Sequence, residues 1–227
     1  MTESTGTEAK PKWQLPLWLE TIVLLVTALV LAVIIKTFLI QAFYIPSESM
    51  EPEFIQNDRI LVQKPSYLFG EPQRGDIVVF QDPGGWLDED EIGSPGPVIR
   101  LFELIGLYPS GGHLVKRVIG VGGDRVICCD AQGRISVNGK ALNEPYLKKG
   151  SNNATTPFDV RVPEGHLWMM GDNRNNSWDS RGHMGLPGGG FVPEDKVVGK
   201  VFTLIWPPNR AKIIHRPDTF KGIPAAN

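Results

Sequence analysis

Residues 21–40 read TIVLLVTALVLAVIIKTFLI, 20 positions with a single charge at Lys36. As a helix this run would be about 30 Å long at ~1.5 Å per residue, the thickness of a bilayer core. A buried core helix would carry a polar stripe, and residues 22–35 have essentially none. An interfacial helix needs a charged face, which is missing. A cleaved secretory leader needs small residues before its cut, and Ile40 stands at the relevant spacing before Ala42. The run therefore predicts a retained transmembrane anchor over residues 17–43, after a polar tail at 1–16. Trp13 and Trp18 flank one end and Phe43 and Tyr44 the other, as an aromatic belt would. Lys10 and Lys12 favour an N-terminus inside, but Lys36, Arg59 and Lys64 lie beyond the run, so charge alone fixes orientation poorly. No second run compares with it: residues 201–206 (VFTLIW) are too few and end at Pro207 and Pro208. Everything after residue 40 is thus expected on one side of a membrane.

The rest of the chain is punctuated by 25 glycines and 19 prolines, most of them between short β-branched or apolar runs. These runs fall at 59–63, 76–80, 113–120, 125–129, 134–137, 167–170 and 196–204. Asn138-Gly139 after RISV is a hairpin-turn dipeptide. Together they predict a mainly β, antiparallel body behind the N-terminal helix. Its core is expected at 44–123 and 165–215, with a small β insertion at 124–164 and a C-terminal tail at 216–227. Within the core, residues 82–112 read as an insertion. It holds an acidic Pro/Gly-rich loop and then VIRLFELIGL at 98–107, a short amphipathic helix against the core or the membrane surface.

A net charge of -2 without a long basic run offers no field for nucleic acid. The four histidines, His113, His166, His183 and His215, are scattered, and no zinc spacing exists, so neither metal nor cofactor is expected. Cys128 and Cys129 would point to opposite faces of a strand. That favours two free thiols, one of them buried, over a bond between neighbours.

Three stretches carry chemistry. The first is Tyr44-Ile45-Pro46-Ser47-Glu48-Ser49-Met50-Glu51-Pro52. On extended backbone, serines at i and i+2 share a face. A serine hydroxyl is inert at neutral pH unless a base lies within hydrogen-bond reach. If Ser49 attacks, its own N–H and the Ser47 hydroxyl are placed to hold an oxyanion. The second is Lys116 to Asp124, KRVIGVGGD, where Lys116 sits in an apolar strand-like run and one of Lys116 and Arg117 must face inward. A lysine with pKa ~10.4 cannot act as a base at pH 7, but burial destabilises the ammonium and can bring it toward 7–8. The third is Gly171-Asp172-Asn173-Arg174-Asn175-Asn176-Ser177-Trp178-Asp179-Ser180-Arg181. This loop is dense in hydrogen-bonding groups and suited to orienting a catalytic group.

Taken in this order, with NDRILVQK (57–64) and RGDIVVF (74–80) between the first two, these stretches closely resemble type I signal peptidases. The likeness covers most of residues 20–206, in a single-anchor form like that of Gram-positive bacteria. It implies a membrane-bound serine endopeptidase that removes signal peptides from exported preproteins by a Ser–Lys mechanism, cutting after small residues at the first and third positions before the scissile bond. By matching position it implies Ser49 as nucleophile, Lys116 as general base, and Ser47 with the Ser49 N–H as oxyanion hole. Ser177 would orient the lysine, and Asp179 and Arg181 would form a supporting ion pair. The implied substrate pockets are lined by Ile45, Pro46, Met50, Leu114 and Val115, with Phe43 at the outer edge. It further implies a cytoplasmic N-terminus, an extracytoplasmic body, and as partners the preproteins, membrane lipid and, transiently, the secretion translocon. The residues 82–112 and the cysteine pair inherit no role.

Three readings compete. A Ser-His-Asp enzyme would use His113 or His183, but the sequence gives no pairing signal for either. A catalytically dead binding domain would be expected to lack Ser49 or Lys116. A LexA-like self-cleaving protein would carry a regulatory partner domain and an internal cut site.

Overall fold

A computed structural model describes residues 16–34, 39–64, 67, 70–87, 112–153 and 156–226. The helix expected at 98–107 and the acidic stretch after residue 87 lie outside them. The first element, α1 (Leu17–Ile34), is an 18-residue helix whose leucines and valines are exposed around its circumference. Its two internal hydroxyls fold back onto the helix: Thr21 donates to the Leu17 carbonyl at 2.9 Å and Thr27 to the Val23 carbonyl at 2.7 Å.

The predicted anchor is corrected at its end, residues 40–43, while residues 35–38 lie outside the described ones. Residues 40–44 are not helical but form β1 (Ile40–Tyr44), paired antiparallel with β2 (Arg59–Gln63) from Ile40↔Gln63 to Tyr44↔Arg59. Phe43, placed in the anchor by hydropathy, is instead a buried core residue. The cause is local: from Ile40 onward the backbone finds partners in the body's sheet and leaves the helical ladder. The described helix, Leu17–Ile34, accounts for about 27 Å at ~1.5 Å per residue. Among the described residues no helix is long and apolar enough to cross a membrane.

The body is mainly β and antiparallel. Its larger sheet adds β3 (Ile77–Gln81), β4 (His113–Gly120), β9 (His166–Met170), β10 (Val192–Pro193), β11 (Val197–Trp206) and β12 (Lys212–Ile213). The order is β1-β2-β11-β3-β4-β9-β10, with β12 on β11. Both faces of its centre are covered. Along β3, Ile77 and Val79 join one apolar cluster with Phe43, Ile45 and Met50, while Val78 and Phe80 join another with Val118, Leu167 and Met169. Period-two alternation thus buries every residue from Ile77 to Phe80, where a one-faced sheet would bury half.

A smaller sheet, in the order β7-β6-β5-β8, comprises β5 (Arg125–Cys128), β6 (Ile135–Val137), β7 (Lys140–Ala141) and β8 (Phe158–Arg161). Asn138 and Gly139 turn β6 into β7 with φ of 49° and 80°, the paired left-handed conformations of a tight hairpin. Cys128 and Cys129 are bonded to each other, against the expectation of free thiols. β5 ends at Cys128, so the strand alternation that would separate the two side chains does not extend to Cys129. The C-terminal segment packs rather than trails. Phe220 is buried in the cluster shared with Trp168, and the Asn138 side chain donates to the Pro224 carbonyl at 2.9 Å.

Candidate active site

Ser49 lies in the turn that follows β1, and the chain around it is held from two sides. Its carbonyl accepts the Asn173 N–H at 3.0 Å, and the Glu48 carbonyl accepts from the Asn173 side chain at 3.1 Å. Lys116 stands in the middle of β4, opposite Val78. The lysine amine donates to the Ser49 hydroxyl at 2.6 Å, with both groups buried. Ser47 lies 3.2 Å from the same hydroxyl, oxygen to oxygen.

Burial is the largest influence on Lys116 and drives its pKa down to about 8. The Asp179 carboxylate opposes this, and Arg181 partly cancels Asp179. The ion pair therefore costs the lysine little of its basicity shift while fixing the loop. Arg181 grips Asp179 through Nε and Nη2, both at 2.8 Å, and Asp179 also accepts the Gly171 N–H at 3.0 Å. Burial alone would raise the Asp179 carboxyl, but the Arg181 bonds outweigh it and hold it below the ordinary range.

Both members of the Lys116-Arg117 pair are buried, where alternation on a one-faced sheet required only one. Arg117 points to the opposite face, forms a two-pronged pair with Asp172 at 2.8 and 2.6 Å, and lies 4.2 Å over the Tyr146 ring. Bidentate geometry and a charge partner are what make a buried guanidinium tolerable. Sequence reasoning missed a third buried pair. Arg174 of the loop meets Glu144 of the smaller-sheet region at 2.7 and 3.0 Å, with Asn153 and Tyr146 completing the network. An arginine inside a polar loop was the only signal, and nothing in sequence pointed to its partner.

Ser177 departs from what the resemblance implied. Its hydroxyl is buried and makes no hydrogen bond among the described residues, so the bond to Lys116 is not formed here. It packs against Gly171, where an added Cβ would fall 2.3 Å from the Ser177 oxygen and 2.4 Å from the Ser49 carbonyl oxygen. Glycine at 171 is thus what lets the 171–181 loop close on the Ser49 turn.

Phe43, Ile45, Pro46, Met50, Leu114 and Val115 line a single cavity of about 440 Å³ together with Ser47, Ser49 and Lys116. Tyr44, Val79, Leu87 and His113 also reach it and were not foreseen. His113 packs on Phe43 with ring centres 5.4 Å apart. His183 bonds the Asp179 carbonyl through Nδ1 at 2.8 Å and stacks on Trp86 at 4.2 Å. The base at hydrogen-bond distance from Ser49 is the lysine. Among the described residues no cluster could hold a metal ion.

The site thus brings together a buried hydroxyl, a buried amine with a lowered pKa and an adjoining apolar cavity, a set of groups of the kind nucleophilic acyl transfer requires. Residues 18–206 match the family described as signal peptidase, peptidase S26. The chain is 39% identical over 234 residues to the probable signal peptidase I of Mycobacterium leprae, covering 89% of this chain and 80% of that one. It is likewise 39% identical to signal peptidase I of Mycobacterium tuberculosis, covering 89% and 77%. Against signal peptidase I T of Bacillus subtilis the identity is 32%, covering 93% and 98%.

Proposed function

The chain belongs to the signal peptidase family, peptidase S26, and is a serine protease that removes signal peptides from preproteins; from that premise we propose that Ser49 is its nucleophile and Lys116 its general base. The observation that carries the assignment is the buried 2.6 Å contact between the lysine amine and the serine hydroxyl. Neutral Lys116 takes the Ser49 proton as the oxygen attacks the scissile carbonyl, and the ammonium returns that proton to the departing amine. The same lysine then activates the water that releases the acyl group. The Ser49 N–H and the Ser47 hydroxyl stabilise the oxyanion. Asp179 and Arg181 hold the loop behind the lysine, and Ser177, whose hydroxyl is buried without a partner among the described residues, receives the ammonium's hydrogen bond once the proton has moved.

The apolar cavity takes the residues before the cut. Its floor and walls are side chains packed in the core, so small residues at the first and third positions fit and large ones clash. The exposed apolar surface of α1 is best covered by lipid, which would hold the body at a membrane with the cavity close to where β1 follows the helix. In this reading the body is extracytoplasmic and receives preproteins as they emerge from the secretion translocon.

The test is cleavage of a synthetic signal-peptide substrate by wild type, Ser49→Ala and Lys116→Met. Both variants are expected to lose at least ~10³-fold in kcat/KM. Near-normal turnover by either would remove it from the assigned role.

A further inference from the structure

The start of the 82–112 segment does more than connect two strands. Asp82, just after β3, accepts the Gly84 and Trp86 N–H groups through Oδ1 at 2.8 and 3.1 Å, and the Leu87 N–H through Oδ2 at 3.3 Å. This knot fixes two apolar side chains. Trp86 is buried between Phe80, edge-on at 5.7 Å, and His183, stacked at 4.2 Å. Leu87 projects into the catalytic cleft and borders two cavities there.

One cavity is the apolar one already described. The second has a volume of about 570 Å³ and shares Pro46, Ser47, Ser49, Leu87, Leu114 and Lys116 with it. Its remaining lining differs in character: Glu48, Gln56, Gly85, Asn176, Trp86 and the largely exposed Trp178. Asn176 donates to the Glu48 carboxylate at 3.2 Å across it. The two cavities also differ in place. The apolar one is walled by the end of β1, the strand that follows α1, whereas no residue of α1 or β1 reaches the polar one. A signal peptide carries its apolar segment before the cut and the polar start of the mature protein after it. A substrate strand crossing Ser49 would therefore lay its two halves in cavities of matching polarity.

We propose that the cavity between Trp86, Leu87, Trp178 and Glu48 is the subsite for the first residues after the scissile bond, with Leu87 as the partition at the cut and Asp82 as the residue that positions it. Trp178 presents an exposed indole face to flat or polar side chains, and the Glu48–Asn176 pair supplies an acceptor and a donor edge to the peptide backbone. The inference rests on the signal peptidase reading.

The experiment compares two substrates with the same acyl part. One continues for several residues beyond the cut, and the other ends there in a small ester leaving group. The readout is the ratio of kcat/KM between them for wild type, Trp178→Ala, Asp82→Ala and Asp82→Asn. Trp178→Ala is expected to lower the ratio about tenfold, mainly through KM for the extended peptide. Asp82→Ala should do the same, and Asp82→Asn, which keeps the Oδ1 acceptor, should restore most of it. An unchanged ratio, or equal losses on both substrates, would overturn the subsite while leaving the protease reading intact. A wild-type enzyme that fails to cut the extended peptide would overturn that reading, and the subsite with it.

Discussion

In the proposed mechanism, the burial that suits Lys116 to act as a base is the same burial that makes it a poor structural residue. Its pKa falls from 10.5 to about 8 in the folded protein. Between those values the unfolded chain binds the proton and the folded one does not, so stability rises with pH through that window and is diminished below it. Replacing the amine with an uncharged chain of similar volume removes this burden. Lys116→Met is therefore expected to abolish activity yet raise the unfolding free energy at pH 7 by about 3 kcal/mol, measured by urea denaturation. An equal or lower stability would show that burial does not disfavour the lysine's ammonium form. Gly171 is the second residue whose identity is dictated by contact. Gly171→Ala would drive a methyl group into the Ser49 carbonyl and the Ser177 hydroxyl. Displacement of that order at a reacting serine is expected to cost about 10²-fold or more in kcat. The fold should survive, with an unchanged far-ultraviolet circular dichroism spectrum.

At the scale of elements, the catalytic loop is held by ion pairs that tie it to different parts of the chain. Asp179–Arg181 is internal to the loop, Asp172–Arg117 joins it to β4, and Arg174–Glu144 joins it to the smaller-sheet region. Glu144→Gln would leave the Arg174 guanidinium buried without its carboxylate, and a loss on the order of 3–5 kcal/mol of stability is expected in chemical denaturation. Burial alone would raise the Glu144 carboxyl, but Arg174, Tyr146 and Asn153 hold it below the ordinary glutamate range. Its contribution is thus present at neutral pH and is lost as pH falls through that lowered value.

Legibility also divides along these lines. Period-two alternation and the Asn138-Gly139 turn were enough to place strands, because both are local rules. Residue type and neighbourhood marked Ser49 and Lys116 as candidates and no more. Their approach across 67 positions of sequence could not, and only the resemblance suggested it. The partners Glu144, Trp86 and Leu87 were invisible for the same reason: each acts through a contact that no spacing encodes. The anchor was overextended because hydropathy cannot distinguish an apolar strand such as β1 from the end of an apolar helix.

Over the whole molecule, the apolar helix precedes a body whose apolar cavity is lined in part by the end of the first strand. If lipid covers α1, charge on that helix should release the protein from membranes without touching the site. The double substitution Leu24→Asp and Leu31→Asp is expected to abolish flotation of the full chain with phospholipid vesicles while retaining cleavage of a soluble peptide. Continued flotation would place the membrane contact elsewhere. The account as a whole depends on a lysine that is neutral often enough to take a proton from Ser49. The pH dependence of kcat/KM for wild-type cleavage of a signal-peptide substrate reports the ionisation of the free enzyme directly. The expected profile rises with pH to a midpoint at about 8, matching the lowered value of Lys116. A rise centred in the ordinary imidazole range, or full activity at pH 6 with no rising limb, would contradict it.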